Sequence, residues 1–554
     1  MDVVVSVGDV PVPPRLAARA RRVITVPAGP LSSADVADLR AHFPRSLAVV
    51  GEPDEVVEVA NQLHRASFPV VVYTDEPLPL DDGVATARLT DHGPPMQAAD
   101  SLIDLFGHTP LVRLDRTARD LSCQLLAKLE YLNPGGSVKD RPALRMVEVA
   151  EREGILHPGG TIVEPTSGNT GVGLAIVAAR RGYRCIFVMP DKISEEKRSL
   201  LRAYGAEVVI CPASVPPDHP DSYYSVSRRL AQTTPGAWMP NQYANPDNRE
   251  AHVRTTGPEI WEQTAGRITH FVCAIGTGGT ISGVGRYLKG RNPGVQVIGA
   301  DPEGSVYSGG TGRPYLVEGI GEDFWPETYD RTVADRVVMV SDRDSFLTAR
   351  RVTREEGILV GGSCGTAIWA AVEVGRDLGP DDVVVVLLAD SGRGYLSKVY
   401  DDSWMADHGF LRAGGDTVSA VLARKASSGL PPLVHVHPDE TVRSAIAILK
   451  EFGVSQMPVV QAEPPVMLGE VVGTVSDRLL LEAALVKPEV IDGPVSAVME
   501  RPLPMVGSGE PVDLAAARMA GGTSAVLVVD DGRPVGIVTR SDLLEFLAGP
   551  ATSL

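Results

Sequence analysis

Thr161-Ile162-Val163-Glu164-Pro165-Thr166-Ser167-Gly168-Asn169-Thr170-Gly171-Val172-Gly173-Leu174-Ala175-Ile176-Val177 reads as three things in succession: a β-branched strand, a polar turn and an apolar helix. A strand feeding a helix through such a turn is the unit of a parallel sheet covered by helices. In sheets of that kind ligands gather beyond the carboxyl ends of the strands. This turn is chemically suited to one, because its N–H groups and hydroxyls stand at a helix N-terminus, where an anion is held. Thr166, Ser167, Gly168 and Thr170 suit a substrate carboxylate, and the Asn169 amide suits the hydroxyl of a cofactor ring. A capped helix with glycines for tight packing is the other reading of the same residues.

Working outward, Asn133-Pro134-Gly135-Gly136-Ser137-Val138-Lys139-Asp140-Arg141 lies about one βα unit upstream, and Gly276-Thr277-Gly278-Gly279-Thr280 lies downstream. Each piece has its own task. Lys139 stands at the mouth of a helix, where an amine can capture an aldehyde. The glycine run lets backbone N–H groups approach a phosphate closely. Lysine, carboxylate turn and phosphate cup together call for pyridoxal phosphate, with Lys139 as the catalytic residue.

Further strands fall at Cys185-Ile186-Phe187-Val188, Val208-Val209-Ile210, His270-Phe271-Val272-Cys273 and Val383 to Leu388, so residues 96–410 read as one α/β domain. Ser391 follows the last strand, where its hydroxyl can meet the ring nitrogen of the cofactor. A hydroxyl is a milder partner than a carboxylate, which suits β-elimination and replacement better than transamination. Asp390 is the competing partner, but on an extended backbone its side chain points the opposite way.

Residues 1–95 form a small α/β unit with one βαβ pattern: Leu47-Ala48-Val49-Val50, a helix from Pro53 to Ser67, and Pro69-Val70-Val71-Val72-Tyr73. Its turn, Gly51-Glu52-Pro53, lacks G-x-G-x-x-G, so a docking or structural role is expected. At the other end, Val418-Ser419-Ala420-Val421 recurs as Val495-Ser496-Ala497-Val498. Gly473-Thr474-Val475-Ser476 recurs as Gly536-Ile537-Val538-Thr539. Two similar units are therefore expected, at 417–486 and 487–550, behind a small-residue linker at 411–416.

The 554 residues, 44% hydrophobic and 22% charged, are enough for several globular domains. A net charge of −18 and the lack of basic blocks exclude a nucleic-acid or anionic-membrane surface. No apolar run reaches the roughly 18–20 residues of a membrane span. Cys123, Cys185, Cys211, Cys273 and Cys364 lack C-x-x-C spacing, which fits a reducing, cytoplasmic setting. With no H-E-x-x-H and no other His/Cys cluster at ligand spacing, no metal is expected.

From Leu102 onward the chain resembles bacterial-type cystathionine β-synthase. That family joins a fold-type II, tryptophan synthase β-like, pyridoxal-phosphate core to a C-terminal tandem CBS-domain (Bateman) pair. The resemblance rests on several runs in order: Gly107-His108-Thr109-Pro110-Leu111-Val112, the Lys139 run, Glu164 to Gly173, Val188-Met189-Pro190-Asp191-Lys192, Asn241-Gln242-Tyr243, Gly276 to Thr280, Glu318 to Phe324, and Asp390-Ser391-Gly392-Arg393.

The resemblance implies condensation of serine with homocysteine to cystathionine and water, by a homodimer or homotetramer. Lys139 would hold the cofactor, Asn169 its ring hydroxyl, Gly276, Thr277, Gly278, Gly279 and Thr280 its phosphate, and Ser391 its ring nitrogen. Gln242 and Tyr243 would line the substrate cleft, with Gly319, Ile320 and Gly321 beside the second substrate; Tyr243 also reads as a half-buried packing aromatic. Haem of the family's Cys/His type is not expected, because no cysteine precedes Cys123.

In Bateman pairs a Gly-x-x-Thr/Ser-x-x-Asp pattern holds the ribose of an adenosine ligand. Gly536, Thr539 and Asp542 complete it in the second repeat, whereas Leu479 replaces the acid in the first. One site per chain is implied, for S-adenosylmethionine or else AMP or ATP; Thr539 and Asp542 equally suit a helix cap. Two alternatives remain open. One is a cysteine synthase using O-acetylserine or O-phosphoserine with sulfide. The other is an adenosyl-ligand sensor with a vestigial catalytic domain.

Overall fold

The computed structural model describes residues 98–548 apart from 167, 192, 194, 213, 214, 216–218, 412–416, 427–430, 521 and 522; ahead of residue 98 it describes five strands and one helix. Ser167 and most of the expected linker thus lie outside the described residues. The chain divides into two units, Met1–Ala99 and Asp100–Leu554.

In the first unit the strands β1 (Val3–Val7), β2 (Arg22–Val26), β3 (Leu47–Val50), β4 (Val70–Tyr73) and β5 (Ala85–Ala87) form one sheet in the order β2-β1-β3-β4-β5. Every pairing is parallel. The expected βαβ pattern is its centre, with the helix at Pro53–Arg65. Val49, Val56, Val59, Leu63 and Val72 are buried, as helix and strand periodicity demand of a shared apolar layer.

The second unit begins with the catalytic-type core. Its strands are β6 (Leu111–Arg113), β7 (Gln124–Leu129), β8 (Thr161–Pro165), β9 (Arg184–Pro190), β10 (Glu207–Cys211), β11 (Ala237–Trp238), β12 (His270–Ala274), β13 (Gln296–Pro302), β14 (Arg336–Val340) and β15 (Val383–Leu388). They form a four-stranded sheet, β10-β9-β8-β11, and a six-stranded sheet, β14-β13-β12-β15-β7-β6. Only β6 runs antiparallel to its neighbour. β8 and β15 are buried along their whole length, as a strand covered by helices on both faces must be. Burying each large apolar side chain of β15 contributes about 1.5–3 kcal/mol before the entropy of ordering it.

The remaining strands, β16 (Gln456–Val460), β17 (Val471–Ser476), β18 (Met505–Gly507), β19 (Ala525–Asp530) and β20 (Arg533–Thr539), build the two repeats, and these exchange parts. Val418 and Val421, from the helix Val418–Ala426, pack with Val506, Val526, Val528 and Val538 of the second repeat. Val495 packs with Val436, Leu449, Met457 and Val475 of the first. Backbone bonds fix both exchanges: Val418 N–H donates to Glu510 O at 2.9 Å, and Val495 N–H to Glu440 O at 2.8 Å.

The repeats also grip the core. Arg313 pairs with Glu470 at 2.6 Å, Arg343 with Asp531 at 2.6 Å and Arg533 with Glu303 at 2.5 Å, and Asp407 takes Arg518.

Candidate active site

The strand ends converge as the sequence led us to expect. The Lys139 run is tied to the end of β15, where Val138 N–H donates to Ala389 O at 2.8 Å and Ser137 bridges Asp390. Lys139 then stands at the position just ahead of the helix Asp140–Arg152, its side chain making no capping bond. One pocket is lined by Lys139 together with Gly276, Thr277, Gly278, Thr280, Gly319 and Ile320. Burial holds the Lys139 ammonium below lysine's ordinary range, against the pull of Cys273, Asp390 and Glu322. Among the described residues its Nζ makes no hydrogen bond or ion pair, so a half-buried amine faces the pocket uncommitted.

The glycine cup stands at the end of β12 and at the N-terminus of the helix Gly279–Arg291. A Cβ on Gly276 would sit 2.7 Å from Gly319 O, and one on Gly278, whose φ is +81°, 2.3 Å from Tyr329 Cβ. Side chains are therefore excluded where a phosphate has to approach the helix N-terminus. Tyr307 Oη donates to Gly276 O at 2.7 Å, and Asn248 Nδ2 donates to Thr277 Oγ1 at 3.0 Å and to Gln242 O at 2.7 Å. His252 Nε2 lies 3.2 Å from Thr280 Oγ1, and burial pushes that imidazole down to about 3, so it stays neutral.

This arrangement fits pyridoxal phosphate: an uncommitted, half-buried amine shares one pocket with a side-chain-free helix N-terminus and the hydroxyls of Thr277 and Thr280. Gly279 stays behind the cup against Asn248, since a Cβ there would fall 2.2 Å from the Asn248 Oδ1.

The described residues of the carboxylate turn are also tied together by hydrogen bonds. Thr166 Oγ1 accepts from Gly168 N–H at 3.1 Å and Gly171 N–H at 3.3 Å. Thr170 Oγ1 donates to Gln242 Oε1 at 2.7 Å, bringing Gln242 beside the turn. Gln242 and Asn241 are held from below by Glu164, which accepts their N–H groups at 3.0 and 2.8 Å. Burial lifts the Glu164 carboxyl to about 7, although both N–H bonds oppose the shift.

Tyr243 sits in an aromatic group, 6.1 Å from Tyr224 and 5.4 Å from Phe324 between ring centroids. Burial, helped by Glu322, keeps its phenol protonated. Gly321 N–H donates to Ile275 O at 2.7 Å, which lays the Gly319-Ile320-Gly321 segment over the cup.

Ser391 is placed differently from its neighbour. Its Oγ accepts from Arg393 N–H at 3.3 Å and caps the short turn Gly392–Tyr395. Asp390 points the other way, as backbone alternation predicts: its Oδ2 accepts from Asn169 Nδ2 at 2.9 Å and from Tyr395 Oη at 2.7 Å. Burial raises the Asp390 carboxyl against those two bonds.

Several contributors escaped the sequence reading. Lys197 and Lys398 both grip Glu318, next to Gly319, and Lys197 also lies 4.7 Å from the Tyr395 ring centroid. Burial would raise Glu318, and the two ammonium groups more than reverse it. Beneath Lys139, Arg141 forks onto Glu130 at 2.7 and 2.8 Å and onto Glu259 at 2.7 and 2.8 Å. Lys128 completes that buried group with bonds to Glu259 and Thr109 O.

In the repeats, Gly536, Thr539 and Asp542 border a cavity of about 690 Å³ that Lys425, Ser455 and Gln456 also line. Both readings of the motif are visible there. Thr539 caps the helix Arg540–Leu547, accepting from Asp542 N–H at 3.2 Å, while Asp542 Oδ2 accepts from Thr539 and from Lys425 at 2.9 Å. In the first repeat, Ser476 caps its helix through Leu479 N–H.

The comparisons agree with this geometry. The chain matches the family described as pyridoxal-phosphate dependent enzyme over residues 102–390 and the CBS domain over 429–486 and 495–549. It is 37% identical to cystathionine beta-synthase of Dictyostelium discoideum, covering 81% of this chain and 92% of that one. It is 37% identical to that of Saccharomyces cerevisiae, covering 82% and 99%. The rabbit enzyme (Oryctolagus cuniculus) is 43% identical, covering 69% and 71%. These relatives carry the family rather than the bacterial subdivision. A hydrogen sulfide-producing enzyme from Fusobacterium nucleatum superposes with a TM-score of 0.52 at 36% identity, over 55% of this chain and 99% of that one. A lysine pocket, a glycine cup and an exchanged pair of CBS repeats thus coincide with matches along most of the chain, which belongs to the cystathionine beta-synthase family of pyridoxal-phosphate dependent enzymes.

Proposed function

We propose that this enzyme joins L-serine to L-homocysteine by β-replacement, releasing water. The observation that carries the reading is the single pocket shared by Lys139, the glycine cup and the Gly319-Ile320 segment, together with the Thr170–Gln242 contact of the carboxylate turn. Bound pyridoxal phosphate supplies an electron sink for the charge left when the substrate α-proton departs.

The protein's part is positioning and proton transfer. Thr166, Thr170 and Gln242 orient the amino-acid carboxylate, with Ser167 and Gly168 of the same turn. Lys139 Nζ takes the α-proton and returns one to the departing hydroxyl, a transfer favoured by its depressed basicity. Asn169, steered by Asp390, meets the cofactor hydroxyl, and Ser391 meets the ring nitrogen. Gly319, Ile320 and Gly321 border the thiol-bearing substrate, with Tyr243 and Phe324 as an apolar wall.

The cavity bordered by Gly536, Thr539 and Asp542 supports a regulatory adenosyl ligand, S-adenosylmethionine before AMP or ATP. The working unit is a homodimer or homotetramer. No helix among the described residues is long and apolar enough to cross a membrane.

Steady-state assays of serine, O-acetylserine and O-phosphoserine against homocysteine and sulfide test the reaction. Serine with homocysteine should give the highest kcat/KM. A clear preference for an activated serine with sulfide would make the enzyme a cysteine synthase. Lys139→Ala should lose at least about a thousandfold in kcat; activity equal to wild type would revive the sensor reading.

A further inference from the structure

His435 and His437 flank Val436, which is fully buried and pairs with β16 through Val460 N–H to Val436 O at 2.9 Å. On an extended chain residues two apart project to the same side, so both imidazoles stand on the outer face of the first repeat. Each ring is fixed by a backbone carbonyl. His435 Nδ1 lies 3.1 Å from Leu433 O, and His437 Nδ1 lies 2.9 Å from Val460 O. A carbonyl only accepts, so Nδ1 carries the proton in both rings. The free lone pair of each neutral imidazole is left on Nε2, the tautomer that outer hydrogen bonds impose on metal-ligating histidines.

Both Nε2 atoms face one carboxylate. Glu463 Oε1 is 3.3 Å from His437 Nε2, and Glu463 Oε2 is 3.7 Å from His435 Nε2. Between neutral rings and a carboxylate this gathers three acceptors, a donor set that a shared metal ion satisfies. All three ligand atoms lie within 4.8 Å of one another. With metal–ligand bonds of 2.0–2.1 Å, the edge of a zinc tetrahedron is about 3.3 Å, so closure draws the ligand atoms together by at most about 1.5 Å.

We propose that His435, His437 and Glu463 form a site for a borderline divalent transition-metal ion of the zinc class, completed by water. Two imidazoles with one carboxylate suit such ions, whereas magnesium and calcium take oxygen ligands. The sequence reading missed it because Glu463 comes 26 residues after His437. The site has a mechanical address. The same loop continues to Pro465, whose carbonyl accepts from Arg313 at 2.5 Å, and to Glu470, which pairs with Arg313 at 2.6 Å. A metal ion on Glu463 would therefore pin the segment that clasps the catalytic core.

The test is equilibrium dialysis of the tag-free, chelator-stripped full-length holoenzyme against zinc chloride, with magnesium chloride as the parallel arm. Wild type should take up one zinc ion per chain at this site, and His437→Asn and Glu463→Gln should each weaken it at least about tenfold while magnesium does not compete. Glu463→Gln alters an exposed side chain, so its thermal melt should match wild type and keep the result interpretable. Unchanged zinc uptake in both variants, no uptake in wild type, or equal competition by magnesium would overturn the site.

Discussion

The amide of Asn169 and the carboxylate of Asp390, 221 residues apart in sequence, meet at 2.9 Å across the two halves of the catalytic core. The contact joins the end of β8 to the end of β15 and sets which way the amide faces. Leaving a buried hydrogen-bonding group without its partner costs about 1–3 kcal/mol. Asn169→Ala should therefore raise the dissociation constant for pyridoxal phosphate about tenfold or more, read from visible absorbance during cofactor titration. Tyr395→Phe, which removes only the second donor to Asp390, should have a smaller effect.

The phosphate cup makes a steric prediction. In Gly278→Ala a Cβ would be forced 2.3 Å from Tyr329 Cβ at a φ of +81°. Left-handed backbone and overpacking together should cost about 2–4 kcal/mol. The variant should melt earlier and retain less cofactor after gel filtration.

Beneath Lys139, the Glu130–Arg141 pair is fully buried, so Arg141→Met strands a carboxylate and should cost about 3–5 kcal/mol in chemical denaturation. The pair also sets an acid limb. Burial would raise the Glu130 carboxyl, and Arg141 with Lys128 reverses this and leaves it below the ordinary range. Its contribution is full above the unfolded carboxylate value of about 4.3 and is lost as pH falls through the lower folded value. Wild type should lose this stability below about pH 4, while Arg141→Met shows little of that limb.

Glu164 behaves in the opposite sense. Lifted to about 7, its carboxyl keeps a proton in the folded chain that the unfolded chain releases. Its contribution therefore declines as pH rises from about 4.3 toward 7, by at most about 1.4 kcal/mol per unit. Glu164→Gln does not titrate and should flatten that slope, measured as the wild-type-minus-variant difference in unfolding free energy at pH 5 and pH 7.5. Because Glu164 holds Gln242, the variant should also raise KM for serine.

The parts of the fold that could be read were those written locally. β9, β12 and β15 carry uninterrupted apolar runs because both faces are covered, and β8 opens on β-branched residues; such patterns need no partner to be recognised. β7 was missed: it carries Lys128, polar in sequence yet fully buried, because Glu259 and Thr109 O satisfy it from far along the chain. The first unit yielded its central βαβ pattern and hid its outer strands, of which Ala85–Ala87 is only three residues long. In the site, Lys139, Asn169 and the glycine cup stand in short runs whose residue types name their chemistry. The Lys197–Glu318 grip spans 121 residues, and nothing in either segment announces the other.

The exchanged packing of the two repeats has an evolutionary and practical corollary. A breakpoint between residues 486 and 495 passes through neither repeat's strands, yet it separates Val418 from the core it fills and Val495 from the other. Each fragment would carry a piece of its sibling's interior and lack a piece of its own. The pair can therefore be inherited, grafted or deleted only as a whole, and a chimera that borrows a single repeat should fail to fold even when every residue of that repeat is native.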